Sequence, residues 1–280
     1  MGKFDHVLIA SDFDDTICFT SAAKGHLPPV SPENRAAMEY FMAEGGTFSV
    51  STGRSLPSYL RVLGSIDLPM NGPSIIFNGA AIYDCPGETY LHTAFLPEDT
   101  LGYLQQTADR FPHVPLLINH ADSTVHCLHY DAAVAQKLGF RDALIGVDSL
   151  AEASRPISKC VFVSPDAGAL QAVADDIAAH SWSRHFQVMT STPVLLEVTA
   201  KDATKGAMVK RLAELLGIAP RDIYCVGDQA NDVSMLECAH IPFAPANAID
   251  VVHQVSGIHI LPHCRDHAIA ALIAELDSIY

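Results

Sequence analysis

Apolar and polar positions along the chain fall into two rhythms. In the first, short apolar runs that end abruptly in polar residues alternate with stretches of helical period. Residues 7–10, 47–50 and 74–77 predict strands, with helices over 31–44 and 57–63 between them. A run apolar at every position fits a strand covered on both faces. Ser31-Pro32 offers an N-cap followed by proline at the first helical position, and Gly45-Gly46 ends that helix. Strand, helix, strand, helix, strand is the pattern of a parallel sheet with helices on its faces.

From about residue 82 the rhythm changes. Shorter alternating runs at 90–96, 115–118, 123–130, 157–164, 185–189 and 194–198 mix with helices near 98–110 and 167–180. Two strands follow one helix with no helix between them, which predicts an antiparallel sheet. After residue 198 the first rhythm resumes, with helices at 203–216, 233–238 and 247–254, strands at 223–226, 241–243 and 258–261, and a last helix from 266. The expectation is therefore α/β: a doubly wound, Rossmann-like core with a parallel sheet built from residues 1–83 and 199–280, and an inserted α+β domain over 84–198.

With 49% of its 280 residues apolar or aromatic, the chain has material for one large or two modest cores. Its 32 acidic against 17 basic side chains give a formal charge of −15, which excludes nucleic acid and anionic lipid as partners bound through phosphate neutralisation. A local basic site remains allowed. No apolar stretch reaches the roughly 20 residues that span a bilayer, and the first residues lack a signal-peptide core. Seven scattered cysteines without a Cys-x-x-Cys fit reduced thiols, so a cytoplasmic location is expected.

Ligands of an open parallel sheet bind at the C-terminal ends of its strands. Collected there are Asp12, Asp14, Asp15 and Thr16, then Thr52, Gly53 and Arg54, then Asn78, and finally Gly227 through Asp232. Carboxylates from remote segments cannot all stay ionised at close range without a cation, and oxygen-only ligands suit magnesium, whose shell is completed by water and phosphate. Taken singly, Asp-x-Asp is a common turn or cap, Thr-Gly-Arg is weaker still, and Lys205 reads as a solvated helix residue. Their joint occurrence at successive strand ends is what points to a magnesium site that binds a phosphate.

The histidines around Cys127 (His120, His126, His129) and near the end (His263 and His267 with Cys264) do not read as metal sites. His126 and His129 face opposite sides of a strand, and two ligands do not close a zinc site. Cys18 reads as packing beneath the first acidic loop. The chain has no Gly-x-x-x-x-Gly-Lys-Ser/Thr, no Gly-x-Gly-x-x-Gly, no Cys with Arg six residues on and no Gly-x-Ser-x-Gly.

Asp12-Phe13-Asp14-Asp15-Thr16 after an apolar strand, Thr52 in Ser-Thr-Gly-Arg, Asn78-Gly79, Lys205 opening a helix, and Gly227 to Asp232 together resemble the signature motifs of the haloacid dehalogenase (HAD) superfamily. The inserted domain resembles the class IIB cap of its Cof-type phosphatase branch. The resemblance implies a Mg2+-dependent phosphomonoester hydrolase acting on a small phosphorylated metabolite, a sugar or polyol phosphate, with the cap supplying specificity. Asp12 would be the nucleophile and Asp14 the general acid/base. Thr52, Gly53, Lys205 and Asn231 would bind the phosphate, with Asn231 orienting Lys205 or the phosphate, and Arg54 and Asn78 would touch substrate. The metal would take the Asp12 carboxylate, the Asp14 backbone carbonyl and Asp228, with Asp232 a ligand or close behind. Asp15 stands where many members of the superfamily carry Gly, and the segment 17–30 is longer than usual in the branch. Two alternatives stay open: a phosphotransferase or mutase using the same intermediate, and a non-catalytic metabolite-binding regulatory protein.

Overall fold

The computed structural model describes residues 2–21, 28–122, 124–130, 132, 144–153 and 156–280. Residues 22–27 of the unusual segment 17–30 lie outside them. The chain divides into two compact units, Met1–Thr93 with Thr204–Tyr280, and Ala94–Ala203.

The first unit is built on β1 (Leu8–Ser11) and β2 (Thr47–Val50), connected through α1 (Pro32–Ala43). Ser31 caps α1 by accepting the Asn34 N–H at 3.2 Å, with Pro32 behind it, as the sequence predicts. After α2 (Leu56–Ser65) comes β3 (Ser74–Ile76), which turns into an antiparallel hairpin with β4 (Ala81–Asp84) and β5 (Thr89–Thr93). β3 meets the parallel sheet through one bridge, Ser51 to Ile75, so it is not a full parallel strand as expected. The change of rhythm along the sequence predicts β5 in an inserted domain that starts at 84. Its pairing with β4 holds it in the first unit, and the break falls at Thr93 instead.

The second unit holds α3 (Leu101–Arg110), β6 (Leu116–His120), β7 (Val125–Leu128), β8 (Leu144–Val147), β9 (Ile157–Val163), α4 (Ala167–Ala179), β10 (Phe186–Thr192) and β11 (Leu195–Ala200). Its sheet runs β10-β11-β9-β6-β7-β8, antiparallel except between β7 and β8. Arg110 of α3 grips Asp176 of α4 with two hydrogen bonds of 2.8 and 2.6 Å. On one sheet face, Leu117, Cys127, Val161 and Val163 form an apolar cluster. On the β6–β7 hairpin His120 and His126 are buried against each other, Nε2 to Nδ1 at 2.9 Å, a contact that the sequence did not suggest.

The first unit then resumes with α5 (Lys205–Leu216), β12 (Ile223–Val226), α6 (Val233–Leu236), β13 (Ile241–Pro245), α7 (Asp250–His253), β14 (His259–Leu261) and α8 (Ala268–Ile279). The five-stranded sheet is parallel throughout, in the order β14-β13-β12-β1-β2. β1 and β12 are buried at every position, which is why neither carries a charged residue. Strand order reverses between these two neighbours, and the crevice at such a reversal is where this architecture binds ligands. Among the described residues no helix is long and apolar enough to cross a membrane.

Candidate active site

Every residue singled out in the sequence for catalysis or binding lies in the first unit. Asp12 follows β1, and its N–H donates to Val226 O at 2.9 Å, so the first acidic loop is pinned to the end of β12. α5 opens on Lys205 because Thr204 caps it, accepting the Ala207 N–H at 3.1 Å. That start drives the lysine side chain inward, where none of it is exposed. Its Nζ donates to Asp12 Oδ1 and to Asp232 Oδ1, each at 2.6 Å.

Asp232 has no free oxygen left. Its Oδ2 accepts the backbone N–H groups of Asp228 and Gln229, both at 2.9 Å. Asp228 is steadied by Thr16, whose hydroxyl donates to Oδ1 at 3.1 Å, and by the Gln229 amide, which donates to Oδ2 at 3.1 Å. The sequence places Thr16 and Gln229 in the strand-end loops without indicating these roles.

One carboxylate oxygen from each of Asp12, Asp228 and Asp232 lies within 4.8 Å of the other two, and all three residues are buried. Three carboxylates face one ammonium. Burial by itself would lower the Lys205 ammonium, but Asp12 and Asp232 outweigh it and hold the group above its ordinary value, so it stays charged. Burial pushes the Asp12 carboxyl up, with Lys205 opposing and Asp232 and Asp228 adding to the rise. The Asp228 carboxyl is pushed up to about 7 by burial first and Asp232 second, against the bonds from Gln229 and Thr16. A cluster that resists ionisation for want of positive charge, offering oxygen donors alone, fits a hard divalent cation.

The second loop stands beside it. Thr52 is buried, its N–H donates to Ile75 O at 2.8 Å, and its Oγ1 accepts the Arg54 N–H at 3.2 Å. Asn78 N donates to Thr52 O at 3.1 Å and Phe77 N to Arg54 O at 2.9 Å, so the loops after β2 and β3 are one hydrogen-bonded piece. A Cβ at Gly53 would stand 2.6 Å from Asn78 Oδ1, so a larger residue there must displace the Asn78 amide. Gly79, at φ 98°, brings the same loop against the start of α5, where a Cβ would lie 2.2 Å from the Thr204 carbonyl carbon.

Three side chains have partners or a backbone conformation that the sequence does not specify. Asn231 does not reach Lys205; its amide donates to Asn78 Oδ1 at 2.9 Å, while the lysine is oriented by Asp232. Arg54 is engaged within the protein, donating from Nε to Asp14 Oδ2 at 2.8 Å and from Nη2 to Asp14 Oδ1 at 2.5 Å. Asp15 takes φ 57°, the left-handed region that favours glycine, and compensates by accepting from Ser21 N at 2.9 Å and from the Ser21 hydroxyl. Asn247, overlooked in the sequence although it follows β13, donates to Asp15 O at 2.8 Å and accepts the Cys264 N–H at 2.9 Å. Cys18 is buried behind this loop as expected.

The profile of the haloacid dehalogenase-like hydrolases matches residues 9–273. The chain belongs to that family. Within it, the fold is that of the Cof-type, class IIB branch, and the protein is a HAD-type phosphatase. The Bacillus subtilis protein YxeH is 27% identical over 277 residues, covering 96% of this chain and 97% of YxeH. The 5-amino-6-(5-phospho-D-ribitylamino)uracil phosphatase YwtE of Bacillus subtilis is 24% identical over 272 residues, 89% of this chain and 90% of YwtE. Among solved structures, the HAD subclass IIB sugar phosphatase BT4131 superposes with a TM-score of 0.73 at 20% identity, covering 97% of this chain and 99% of its own.

Proposed function

We propose that this HAD-type phosphatase is a Mg2+-dependent phosphomonoester hydrolase acting on a small sugar or polyol phosphate, and that Asp12 carries the phosphoryl group between substrate and water. The observation that carries this reading is the buried cluster in which Asp12 and Asp232 flank Lys205 at 2.6 Å with Asp228 alongside. In the first step an Asp12 carboxylate oxygen attacks phosphorus, the bond to the leaving oxygen breaks, and Asp14 gives that oxygen its proton. In the second, Asp14 takes a proton from water, the water oxygen bonds to phosphorus, and the bond to Asp12 breaks, releasing inorganic phosphate. Lys205 and Thr52 hold phosphoryl oxygens where charge accumulates. Gly53 lets the Asn78 amide pack against the Thr52 loop, and the Asn231–Asn78 bond ties the loops that frame the phosphate.

Magnesium would be held by the Asp12 and Asp228 carboxylates and the Asp14 backbone carbonyl. Asp232, with both oxygens committed to Lys205 and to backbone N–H groups, supports them from behind. Bound there, the ion supplies positive charge that offsets the phosphate and the carboxylates. Sugar and polyol phosphates are favoured by the sugar phosphatase BT4131 and by the ribityl phosphate in the name of YwtE. The formal charge of −15 disfavours polyanions such as nucleic acid, and seven scattered cysteines without a Cys-x-x-Cys support a reducing, cytoplasmic setting.

The test is phosphate release from a panel of sugar and polyol phosphates with and without magnesium. The reading expects magnesium to stimulate release from at least one of them and Asp12→Asn to abolish it. Full turnover by Asp12→Asn, or no stimulation on any substrate, overturns it.

A further inference from the structure

Asp14 has two tasks that conflict. It must exchange a proton with a leaving oxygen, and it sits two residues from a carboxylate of the proposed cation site. A carboxylate bound to a divalent cation loses the basicity that proton transfer needs. The Asp14 side chain is 36% exposed, so burial does not hold it. What holds it is Arg54. The guanidinium takes both carboxylate oxygens, from Nε at 2.8 Å and Nη2 at 2.5 Å. It is itself fixed on other sides, lying 5.5 Å over the ring of the buried Phe13 and donating from Nη1 to Ser58 Oγ at 3.4 Å in the first turn of α2. Among the described residues, the carboxylates gathered closely enough to share a cation are Asp12, Asp228 and Asp232, and Asp14 stays outside that group.

We propose that Arg54 is a positioning residue whose two-pronged grip keeps the Asp14 carboxylate out of the cation site. The role rests on the assignment of Asp12 and Asp228 to that cation. A planar fork is needed, because lysine offers a point charge that cannot hold both oxygens in one plane. Arg54→Lys therefore keeps the charge and loses the grip. Released, Asp14 becomes an additional carboxylate ligand.

The experiment measures magnesium binding by calorimetry, without substrate, on the wild type, Arg54→Lys, Asp14→Asn and the double variant. Arg54→Lys is expected to tighten magnesium by about tenfold, the scale on which outer-shell partners act on metal sites. In the Asp14→Asn background the same substitution is expected to change affinity by less than about twofold, since the carboxylate that would be released is gone. Arg54→Gln serves as a second release variant and should behave as Arg54→Lys does in both backgrounds. Unchanged magnesium affinity in Arg54→Lys, with a raised KM for the phosphate ester, overturns the proposal in favour of a substrate contact. Tightening that persists in the Asp14→Asn background, or that occurs in Arg54→Gln but not Arg54→Lys, also overturns it, the latter by showing that charge alone acts. Absence of phosphatase activity in the wild type would defeat the proposed function and leave this binding result standing.

Discussion

Replacing Asp228 by Asn tests the electrostatics of the cluster through stability. Without metal, the Asp228 carboxyl has been pushed up to about 7 from an ordinary value of 3.8. A carboxyl whose value rises on folding binds its proton more tightly in the folded state, so stability falls as pH climbs from the unfolded value towards the folded one and is flat above it. Between about pH 5 and pH 8 this group alone removes roughly 2.5 kcal/mol from the metal-free protein. Asp228→Asn abolishes that loss, and the Asn amide can still accept from Thr16. Thermal unfolding in chelator should thus show a wild type that weakens relative to Asp228→Asn as pH rises. At about 2–4 °C per kcal/mol the gap grows by roughly 5–10 °C across that range. Magnesium should restore the wild type at the alkaline end and leave the variant unmoved. Its affinity for the wild type should climb as pH rises towards neutrality, by about tenfold per pH unit for the Asp228 proton alone. A variant less stable than the wild type at about pH 8 in chelator, or a gap independent of pH, would refute this account.

Lys205→Met should act in the opposite direction, leaving Asp12 and Asp232 buried without their counter-ion and lowering stability by about 3–5 kcal/mol with loss of turnover; an unshifted unfolding midpoint would contradict the buried ion pairs. Gly53→Ala places a Cβ 2.6 Å from Asn78 Oδ1, so steady-state kinetics should show kcat/KM reduced. The size expected of a misplaced binding loop is about tenfold to a hundredfold, and unchanged kinetics would show that the loop yields freely. Asp15→Gly relieves a left-handed residue at φ 57° and forfeits its bonds to Ser21, two effects of opposite sign. Stability should move by less than about 1 kcal/mol, with activity retained; a large loss of turnover would give Asp15 a part in catalysis.

Strand ends were legible because burial on both faces leaves an apolar run no place for charge until the run stops. That is how Asp12 after β1 and Asp228 after β12 could be brought together from residues more than 200 positions apart. Lys205 was legible only through the motif set, since a lysine opening a helix gives no sign of being fully buried. The partners of these groups were not legible. Whether Asn231 reaches Lys205 or Asn78, and whether Arg54 faces substrate or Asp14, depends on side-chain directions across loops, and local spacing does not encode those. The unit to which the β4–β5 hairpin belongs is not legible for a related reason. The hairpin's alternating pattern is that of any antiparallel pair and does not say which unit it joins.

The central claim is that Asp12 carries the phosphoryl group. The direct measurement mixes the Asp14→Asn variant and magnesium with an aryl phosphate, whose leaving group departs without protonation, so that formation of the intermediate proceeds and its hydrolysis stalls. Rapid acid quench and peptide mass spectrometry then locate the phosphoryl group. The account predicts a burst of phenolate equal to the enzyme present and an adduct on Asp12. Release without a burst, with Asp12 unmodified while the wild type turns over the same ester, would contradict it.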